Sequence, residues 1–529
     1  MFTSPLPDVE IPNVSVYDYL FGHIADDELA RIALIDGTTG AEVSYAQLIG
    51  QINSLAAALA ARGTSVGDVV GLLCPNVPAF ATVFHGILRA GATATTINSL
   101  YTPTEIAAQL TGSGASWLFT VSPLLPGAEA AATLAGIDAD HLVVIDGADG
   151  HPSLRDFLIQ GAPAPQVSFD PATHLAVLPY SSGTTGRPKG VMLTHRNLVA
   201  NIAQAEANIG MVPDDRVLAV LPFFHIYGMT ALLNFALKKR ATLVTMPRFD
   251  LAEFLRVIST YRATFVFIAP PVAVALAKSP LVDEYDLSSV RVVFSGAAPL
   301  DGALALAVAA RLGTTVAQGY GLTESSPVSH TIPLDRPDVD RSTIGFLVPN
   351  MQARLIHPDT GADIGPVSEG VSEPGEILMR GPNIMLGYLG NEEATRESLD
   401  SDGWLHTGDV ATVDANGTFR IVDRLKELIK YKGYQVAPAV LEAVLLTHPL
   451  IADAAVIGVQ DADAQEVPKA FVVTMTGADL TEADVIAFVA ERVAPHEKVR
   501  VVSFIEQIPK SASGKILRKD LRAHEVPIR

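Results

Sequence analysis

A short segment rich in glycine and hydroxyl side chains lies between two apolar runs, 175–178 and 191–193. Its sequence is Ser181-Ser182-Gly183-Thr184-Thr185-Gly186-Arg187-Pro188-Lys189-Gly190. A loop that holds polyphosphate needs exposed backbone N–H groups, small residues that permit close approach, hydroxyl donors and a cation. The segment supplies all of these, with Lys189 as the cation. It is therefore predicted to be a phosphate-binding loop.

This loop differs from the Walker A motif. In that motif the lysine is followed by Ser or Thr, and the loop leads into a helix. Here Lys189 is followed by Gly190 and by the strand-like run Val191-Met192-Leu193. The sequence thus indicates a nucleotide-binding protein of another class.

Further motifs follow the loop in an order typical of the adenylate-forming superfamily, which includes acyl-CoA synthetases, firefly luciferase and peptide-synthetase adenylation domains. These motifs are Gln318-Gly319-Tyr320-Gly321-Leu322-Thr323-Glu324, Gly375-Glu376-Ile377-Leu378-Met379-Arg380-Gly381, Gly403-Trp404-Leu405-His406-Thr407-Gly408-Asp409, the run 423–436 that begins Asp423-Arg424, and Pro509-Lys510-Ser511-Ala512-Ser513-Gly514-Lys515. The chain resembles this superfamily from about Tyr45 to near its end. It looks most like the 4-coumarate/cinnamate–CoA ligase branch.

The resemblance implies an acid–thiol ligase that works in two steps. A carboxylate attacks the α-phosphorus of ATP to give acyl-AMP and pyrophosphate, and CoA then takes the acyl group and releases AMP. ATP, Mg²⁺ and CoA are thus implied, with a 4-coumarate- or cinnamate-like acid. Because negative charge builds up on phosphate oxygens during the attack, the enzyme must hold two anions together and neutralise that charge.

The resemblance also assigns residues to the nucleotide and the metal ion. Those implied for ATP or AMP are Ser181, Ser182, Gly183, Thr184, Thr185 and Lys189 at the departing pyrophosphate, Thr323 at the α-phosphate, Asp409 and Arg424 at the ribose, and Ala297, Gln318, Gly319 and Tyr320 around the base. Glu324 is the implied Mg²⁺ ligand, which suits a cation that prefers hard oxygen donors.

Lys515 is the implied catalyst of adenylation. It follows Gly514 in a segment expected to be a short mobile loop, from which its ammonium can reach the acyl carboxylate and the α-phosphate. Because this loop belongs to the small C-terminal domain, that domain must close over the large one. The resemblance places the hinge of this movement at Lys426.

A second face of the small domain is implied in thioester formation. Lys430 and Gln435 would approach the adenylate, while Lys432 and Gly433 would flank the CoA arm. Arg248, at a predicted strand end in the large domain, is the implied contact for the CoA phosphates.

The segment Leu221-Pro222-Phe223-Phe224-His225-Ile226-Tyr227-Gly228 bears on the choice of acid. Adenylation domains for amino acids carry an Asp beside the aromatic residue, and it pairs with the substrate ammonium. Here the position is His225, so α-amino acids are disfavoured, since a buried ammonium without a counter-ion is costly. By resemblance, His225 shapes the carboxylate channel, and the acyl pocket is lined by Tyr227, Ala231, Phe294, Pro327 and Val328.

The far wall of this pocket is expected to be apolar. Phe294 stands where the plant pattern has Met, and with Ala231 it offers little to pair with a ring hydroxyl. We therefore expect cinnamate-like or other apolar acids rather than hydroxylated ones. Fatty acids remain an alternative substrate class.

Other functions remain as alternatives. An acyl-AMP ligase that loads a carrier protein would share the first step, although the intact segment 430–435 favours CoA. A nucleotide-binding pseudoenzyme is opposed by the presence of Lys515, Glu324 and Asp409. A membrane-anchored scaffold is the remaining possibility.

Composition limits the partners and the compartment. The chain has 529 residues, 57 Asp and Glu against 37 Lys and Arg, and a formal net charge of −20. That field repels polyanions, so no nucleic-acid partner is expected. Cys74 is the single cysteine and is predicted to be a buried strand thiol, which fits a reducing cytoplasm. The N-terminus lacks the basic and apolar regions of a signal peptide.

The elements that must position these residues alternate between short apolar runs, such as 67–73 and 242–246, and helix-like segments, and the run 375–380 is predicted to be a strand. This alternation predicts an α/β fold, with a large N-terminal domain (1–423) of mostly parallel sheets flanked by helices and a β-rich part near 375–422. A small mobile α+β domain (424–529) is predicted to follow, with a helix at 482–493 capped by Thr481 and Asp484. The uncharged stretch 217–237 is interpreted as a buried strand and a core helix, not a membrane span.

Overall fold

The computed structural model describes residues 1–158, 163–181, 188–206, 208–431, 434–461, 466–475, 477–512 and 514–523. Within these residues, sheets flanked by helices form a large domain, and a smaller α+β domain follows it. The predicted α/β class is therefore confirmed. Strand Phe419–Arg424 runs through the predicted domain boundary, and the turn begins only at Leu425.

The first sheet carries the strands that flank the glycine-rich segment. Its parallel strands, in spatial order, are Leu175–Val177, Thr93–Thr96, Val69–Leu73, Ala115–Thr120 and Leu142–Val144. Lys189–Thr194 pairs antiparallel with Leu175–Val177 and also with Tyr180–Ser181 and Gly387–Tyr388. The strand predicted after the loop is thus confirmed.

The second sheet is parallel through its centre. In spatial order its parallel strands are Thr315–Gly321, Val292–Ser295, Phe265–Ile268, Arg216–Ala219, Thr242–Thr245 and Ile32–Asp36, and its antiparallel edges are Val328–Thr331 with Phe346–Leu347, and Glu42–Ser44. In open parallel sheets, ligands bind outside the carboxyl ends of the strands. His225, Phe294 and Tyr320 all belong to that end.

Helices pack on both faces of these sheets. They are Val16–Phe21, Tyr45–Ala61, Pro78–Arg89, Pro103–Ser113, Leu125–Ala135, Leu154–Leu158, His195–Glu206, Phe235–Lys238, Leu251–Tyr261, Pro270–Lys278 and Gly302–Leu312, with a π-helix at Tyr227–Asn234 and 3₁₀ turns at Ser122–Leu124, Ala139–His141, Pro280–Glu284 and Thr323–Ser325. Local sequence signals start several of them. Ser44 and Thr102 form capping boxes with Gln47 and Glu105, which satisfy N–H groups that a helix start leaves unpaired.

The third sheet is antiparallel and forms the β-rich part of the large domain. Its strands are Phe2–Thr3, Gln352–Ile356, Gly375–Arg380, Leu405–Val413 and Phe419–Arg424, with Asp363–Ile364 at one edge and helix Glu392–Ser398 beside it. The strand predicted at Gly375–Arg380 is confirmed at both ends. The pairing of the N-terminal strand with this sheet was not predicted.

The C-terminal domain has its own hydrophobic core. It contains the hairpin Ile429–Tyr431 and Tyr434–Val436, the sheet of Ile451–Gln460, Glu466–Thr474 and Val501–Phe504, and helices Pro438–Leu446, Glu482–Ala490 and Arg518–Ala523. Buried Leu441, Val456 and Val485 centre this core. The Thr481–Asp484 capping box is present as predicted, although the helix ends at Ala490 rather than Val493.

The uncharged stretch 217–237 is built into the large domain. Strand Arg216–Ala219 is followed by the π-helix and then by Phe235–Lys238, so the predicted strand and core helix are confirmed. Across the described ranges, we find no helix with the length and apolar character needed to cross a membrane. Cys74 is buried, as predicted, and burial raises the pKa of its thiol.

Candidate active site

Lys515 lies at the junction of the two domains, among acidic groups of the large domain. Burial lowers the pKa of its ammonium to about 8, and the charge of Arg424 adds to this effect. Asp409 and Glu324 act in the opposite direction and raise the Lys515 pKa. The Lys515 charge in turn helps to lower the pKa of His225. Residues from separate sequence motifs are therefore brought to one place.

The loop that bears Lys515 is folded back on itself. The Lys515 carbonyl accepts a hydrogen bond from the Ser511 N–H at 2.8 Å, and the Lys515 N–H donates to Ser511 Oγ at 3.1 Å. Gly514 has a φ of +86°, and a Cβ placed there would lie 2.9 Å from the Cβ of Ala269 in the large domain. The loop backbone therefore lies directly against the large domain, and glycine suits this position because of both its φ and its lack of a side chain.

Asp409 is buried and is held from two sides. The Tyr320 hydroxyl donates to its Oδ2 at 2.6 Å, and Arg424 Nε lies 3.3 Å from its Oδ1. The pairing follows from the fold, because Asp409 and Arg424 face each other across adjacent strands of the third sheet. A carboxylate has about four lone-pair sites, so Asp409 keeps acceptor capacity for hydroxyl groups of a ligand.

Glu324 is linked to the phosphate-loop lysine through an aromatic ring. The Tyr388 hydroxyl donates to Glu324 Oε1 at 2.9 Å, and Lys189 Nζ lies 4.6 Å from the centre of the Tyr388 ring. Tyr388 was not predicted as a site residue, because it lies outside the recognised motifs and nothing in its local sequence indicates a role. Its strand pairs with Lys189–Thr194, and this pairing brings the two motifs together.

The Glu324 environment fits a Mg²⁺ ion shared with a nucleotide. Mg²⁺ is usually bound by one or two carboxylates together with substrate phosphates and water, rather than by a protein cage. Among the described residues there is no cluster of three or more His, Cys, Asp or Glu side chains suited to a metal ion. The Glu324 carboxylate, with one oxygen engaged by Tyr388, therefore offers a single-carboxylate site.

His225 is neutral at physiological pH. Burial, with a contribution from Lys515, lowers the pKa of its imidazole to about 4. Its Nδ1 accepts a hydrogen bond from the Tyr227 N–H at 3.3 Å. In the neutral ring this leaves the proton on Nε2, which is then a hydrogen-bond donor.

A cluster of packed aromatic rings begins beside His225, at Tyr227. The Tyr227 ring lies 6.0 Å from that of Phe267, which lies 5.5 Å from Phe294. A Cβ on Gly296 would come within 2.7 Å of the Tyr227 ring, and one on Gly319 within 3.1 Å of the Phe294 ring. Small residues thus permit close packing of these rings.

Other predicted pocket residues are also placed by the structure. Ala231 is buried one turn beyond Tyr227 in the π-helix, while Pro327 and Val328 are buried beside the Thr323–Ser325 turn. Phe267 was not predicted, although its register opposite Phe294 on parallel strands is the kind of signal that finds such neighbours.

The residues predicted to surround the base differ in whether their side chains are free to contact a ligand. The Gln318 amide donates to the carbonyls of Leu300 at 3.1 Å and Arg341 at 2.6 Å, and its Oε1 accepts from the Leu300 N–H. The Gln318 side chain therefore holds the loops at Leu300 and Arg341 in place, and only its backbone remains to contact a ligand. Ala297 is exposed with a φ of +71°.

Several predicted residues are exposed or lie outside the described residues. Arg248 and Lys426 are exposed, as is Lys430, whose N–H donates to Glu466 at 2.7 Å. Ser181 ends the strand before the loop. Outside the described residues lie Ser182, Gly183, Thr184, Thr185, Lys432, Gly433 and the side chain of Gln435.

Comparison with known proteins places this geometry in a family. The model of the AMP-binding enzyme family matches residues 21–389, and that of the AMP-binding enzyme C-terminal domain matches 440–515. The chain is 42% identical to 4-coumarate–CoA ligase 5 of Oryza sativa subsp. japonica, over 99% of this chain and 97% of that one. It is also 42% identical to 4-coumarate–CoA ligase 4 of Arabidopsis thaliana, over 99% and 94% of the two chains.

Solved structures agree with the sequence comparisons. ATP-bound MatB from Rhodopseudomonas palustris superposes with a TM-score of 0.85 at 29% identity, covering 97% of this chain and 99% of that one. The anthranilate CoA ligase AuaEII in complex with anthranoyl-AMP gives a TM-score of 0.88 at 27% identity, covering 97% and 98%. The chain therefore belongs to the AMP-binding enzymes and, by its full-length similarity to 4-coumarate–CoA ligases, to their acid–thiol ligase branch.

Proposed function

We propose that this chain is an ATP- and Mg²⁺-dependent carboxylate–CoA ligase whose acid is cinnamate-like, with few or no ring hydroxyls. The observation that carries the proposal is that Lys515 lies within electrostatic range of Asp409, Glu324 and His225, next to a cluster of aromatic rings. The names of the similar plant enzymes support the 4-coumarate/cinnamate class of acid.

In the first step, fixed positive groups neutralise the charge that develops on the phosphate. Lys515 contacts both the carboxylate of the acid and the α-phosphate, while the Nε2–H of His225 orients the carboxylate. Lys189 and the phosphate loop hold the pyrophosphate that departs when the acyl oxygen bonds to the α-phosphorus. Such groups are effective because they are buried and already in place before reaction. Glu324 would hold Mg²⁺, which would supply further charge neutralisation when bound.

The adenosine moiety binds at the edge of the third sheet. Asp409 accepts hydrogen bonds from the ribose hydroxyls, and Arg424 and Tyr320 hold its carboxylate in position. Gly319 and Tyr320 line the base, and the missing side chain at Gly319 lets the Phe294 ring pack closely against it. The Gln318 amide fixes the surrounding loops through Leu300 and Arg341.

In the second step, the C-terminal domain presents its other face. Lys430 and Gln435 are paired neighbours on the hairpin, and in the present orientation Lys430 faces solvent while Lys515 is inserted. Exchange of the two faces therefore requires rotation of the domain about a hinge after Asp423, for which exposed Lys426 is the proposed pivot. Lys432 and Gly433 then border the CoA arm, and Arg248 binds its phosphates.

The substrate proposal is tested with purified protein, Mg·ATP, CoA and an acid panel. We expect cinnamate to be converted with a kcat/KM about tenfold or more above that of 4-coumarate, because a buried hydroxyl without a partner costs about 1–3 kcal/mol. Benzoates and medium- and long-chain fatty acids complete the panel, and acyl-CoA and AMP are measured by mass spectrometry. A preference for fatty acids would overturn the substrate class.

The acceptor is tested in the same reactions. Formation of acyl-AMP with no acyl-CoA would favour a carrier-loading ligase over a CoA ligase.

A Phe294→Met variant provides a matched probe of the predicted acyl-pocket wall, because Met has a similar volume but a flexible chain in place of a rigid ring. We expect this variant to reduce the difference in kcat/KM between cinnamate and 4-coumarate.

The first step is expected to depend on the charge of Lys515. Its pKa is lowered to about 8, so the fraction of Lys515 carrying a proton falls as pH rises through that value. Only the ammonium neutralises phosphate charge, and the rate of acyl-AMP formation should therefore decline above about pH 8. Thioester formation from supplied acyl-AMP should lack this decline. Stopped-time assays between pH 6 and 10 would measure the rates of acyl-AMP formation and of thioester formation. A decline of both rates above about pH 8 would contradict the assignment of Lys515 to the first step alone.

A further inference from the structure

One helix of the large domain contacts the C-terminal domain at both of its ends. Helix Pro270–Lys278 begins after Ala269, whose Cβ lies against Gly514 of the Lys515 loop. At its other end, Lys278 Nζ donates to the carbonyl oxygens of Leu446 at 2.8 Å, Ile451 at 3.0 Å and His448 at 3.2 Å. At 1.5 Å per residue this helix is about 13 Å long, so the contacts are well separated.

The carbonyls bound by Lys278 match the chemistry of an ammonium group. A lysine ammonium has three N–H donors and no acceptor, and here each has a carbonyl partner. Leu446 ends helix Pro438–Leu446, and the last carbonyls of a helix lack intrahelical partners and carry partial negative charge. Lys278 therefore acts as a cap supplied by the other domain.

This contact depends on the orientation of the domains more than on the folding of either one. The 446–451 segment belongs to a domain with its own core, and Lys278 ends a helix that packs in a separate core of the large domain. If the C-terminal domain turns to present Lys430, the three carbonyls move with it and leave Lys278. The contact is then specific to the orientation that inserts Lys515.

We propose that Lys278 is a positioning residue that holds the C-terminal domain in the adenylate-forming orientation and thereby positions Lys515. The inference rests on the two-step function proposed above. Two separated contacts on one rigid helix define both the position and the tilt of the docked domain. Lys278 itself touches no substrate.

The test is a Lys278→Met variant, which keeps most of the side-chain stem and removes the ammonium. We expect acyl-AMP formation to slow by about tenfold or more, because three charge-assisted hydrogen bonds stabilise the docked orientation. Acyl-CoA formation from supplied acyl-AMP should stay within about twofold of the wild type. Pyrophosphate release and acyl-CoA formation are measured separately in single turnovers.

Two further variants separate positioning from general stability. Lys278→Arg should recover part of the lost rate, since it keeps the charge but its planar fork cannot aim at three converging carbonyls. Lys238→Met is the matched control: Lys238 also ends a helix and donates to a carbonyl, that of Tyr19 at 3.1 Å, but within the large domain. We expect it to lower the melting temperature without changing the ratio of the two half-reactions.

The outcomes are distinct. Unchanged acyl-AMP formation in Lys278→Met, or an equal loss in both half-reactions, would overturn the inference while leaving the proposed function intact. Failure of the wild-type protein to form acyl-AMP from any acid would instead overturn the proposed function, and this inference with it.

Discussion

Replacing Lys515 with alanine is expected to slow acyl-AMP formation by about a hundred- to a thousandfold, the usual cost of removing one buried group that stabilises transition-state charge. Lys515 is the cation of the C-terminal domain whose pKa is raised by the charges of Asp409 and Glu324 in the large domain. Acyl-CoA formation from supplied acyl-AMP should remain within about threefold of wild type, because in the proposed mechanism that step uses the other face of the domain. The two steps are measured separately, by pyrophosphate release and by acyl-CoA formation.

Lys519 provides a matched control for this variant. It lies four residues further on, at the start of helix Arg518–Ala523, and its side chain is exposed. Lys519→Ala removes the same charge from the same segment without touching the site, so both half-reactions should be unchanged. If Lys515→Ala impaired both steps equally, a single catalytic face would replace the model of two faces.

The local pattern of the sequence predicted most elements that hold the site. The apolar runs 67–73 and 242–246 located the strands Val69–Leu73 and Thr242–Thr245 to within two residues, because burial on both faces leaves few polar positions within such strands. Ends were less well located. The helix after Thr481 stops at Ala490, where the apolar pattern alone allowed three more residues.

The local pattern of apolar residues could not predict which distant segments pair or contact each other. Strand Phe2–Thr3 pairs with Gln352–Ile356, and nothing in a two-residue strand predicts such a partner. The motifs indicated Lys189 and Glu324, but not that Tyr388 would lie between them. Lys278 was missed for the same reason, since its partners are backbone carbonyls and carbonyls have no signature in the sequence.

Asp409→Ala is the second change for which a large effect is expected. It should lower kcat/KM for ATP by about a hundredfold, because a hydrogen bond from a neutral group to a buried carboxylate is worth about 1.5–3 kcal/mol. Removing the carboxylate also leaves the Tyr320 hydroxyl and Arg424 without their partner. Initial rates of pyrophosphate release at varied ATP measure the loss.

Ribose recognition is isolated by pairing the variant with altered nucleotides. Wild-type enzyme should discriminate against 2′-deoxy-ATP and 3′-deoxy-ATP by about tenfold or more in kcat/KM, while Asp409→Ala should treat ATP and at least one deoxy analogue alike. Tyr320→Phe is the milder comparison, since it removes one hydrogen bond to Asp409 and keeps the carboxylate. Undiminished discrimination in Asp409→Ala would show that another group binds the ribose.

The same variant should also move the pH dependence of the first step, and the direction of the shift follows from the charges. Asp409 raises the pKa of Lys515, against the lowering by burial and Arg424. Without the Asp409 carboxylate, the Lys515 pKa should fall below about 8, so acyl-AMP formation should begin to decline at a lower pH than in the wild type. Tyr320→Phe leaves that charge in place and should leave the profile unmoved. A profile measured at saturating ATP would separate this effect from weaker nucleotide binding, and an unshifted profile in Asp409→Ala would contradict the electrostatic coupling between ribose site and catalytic lysine.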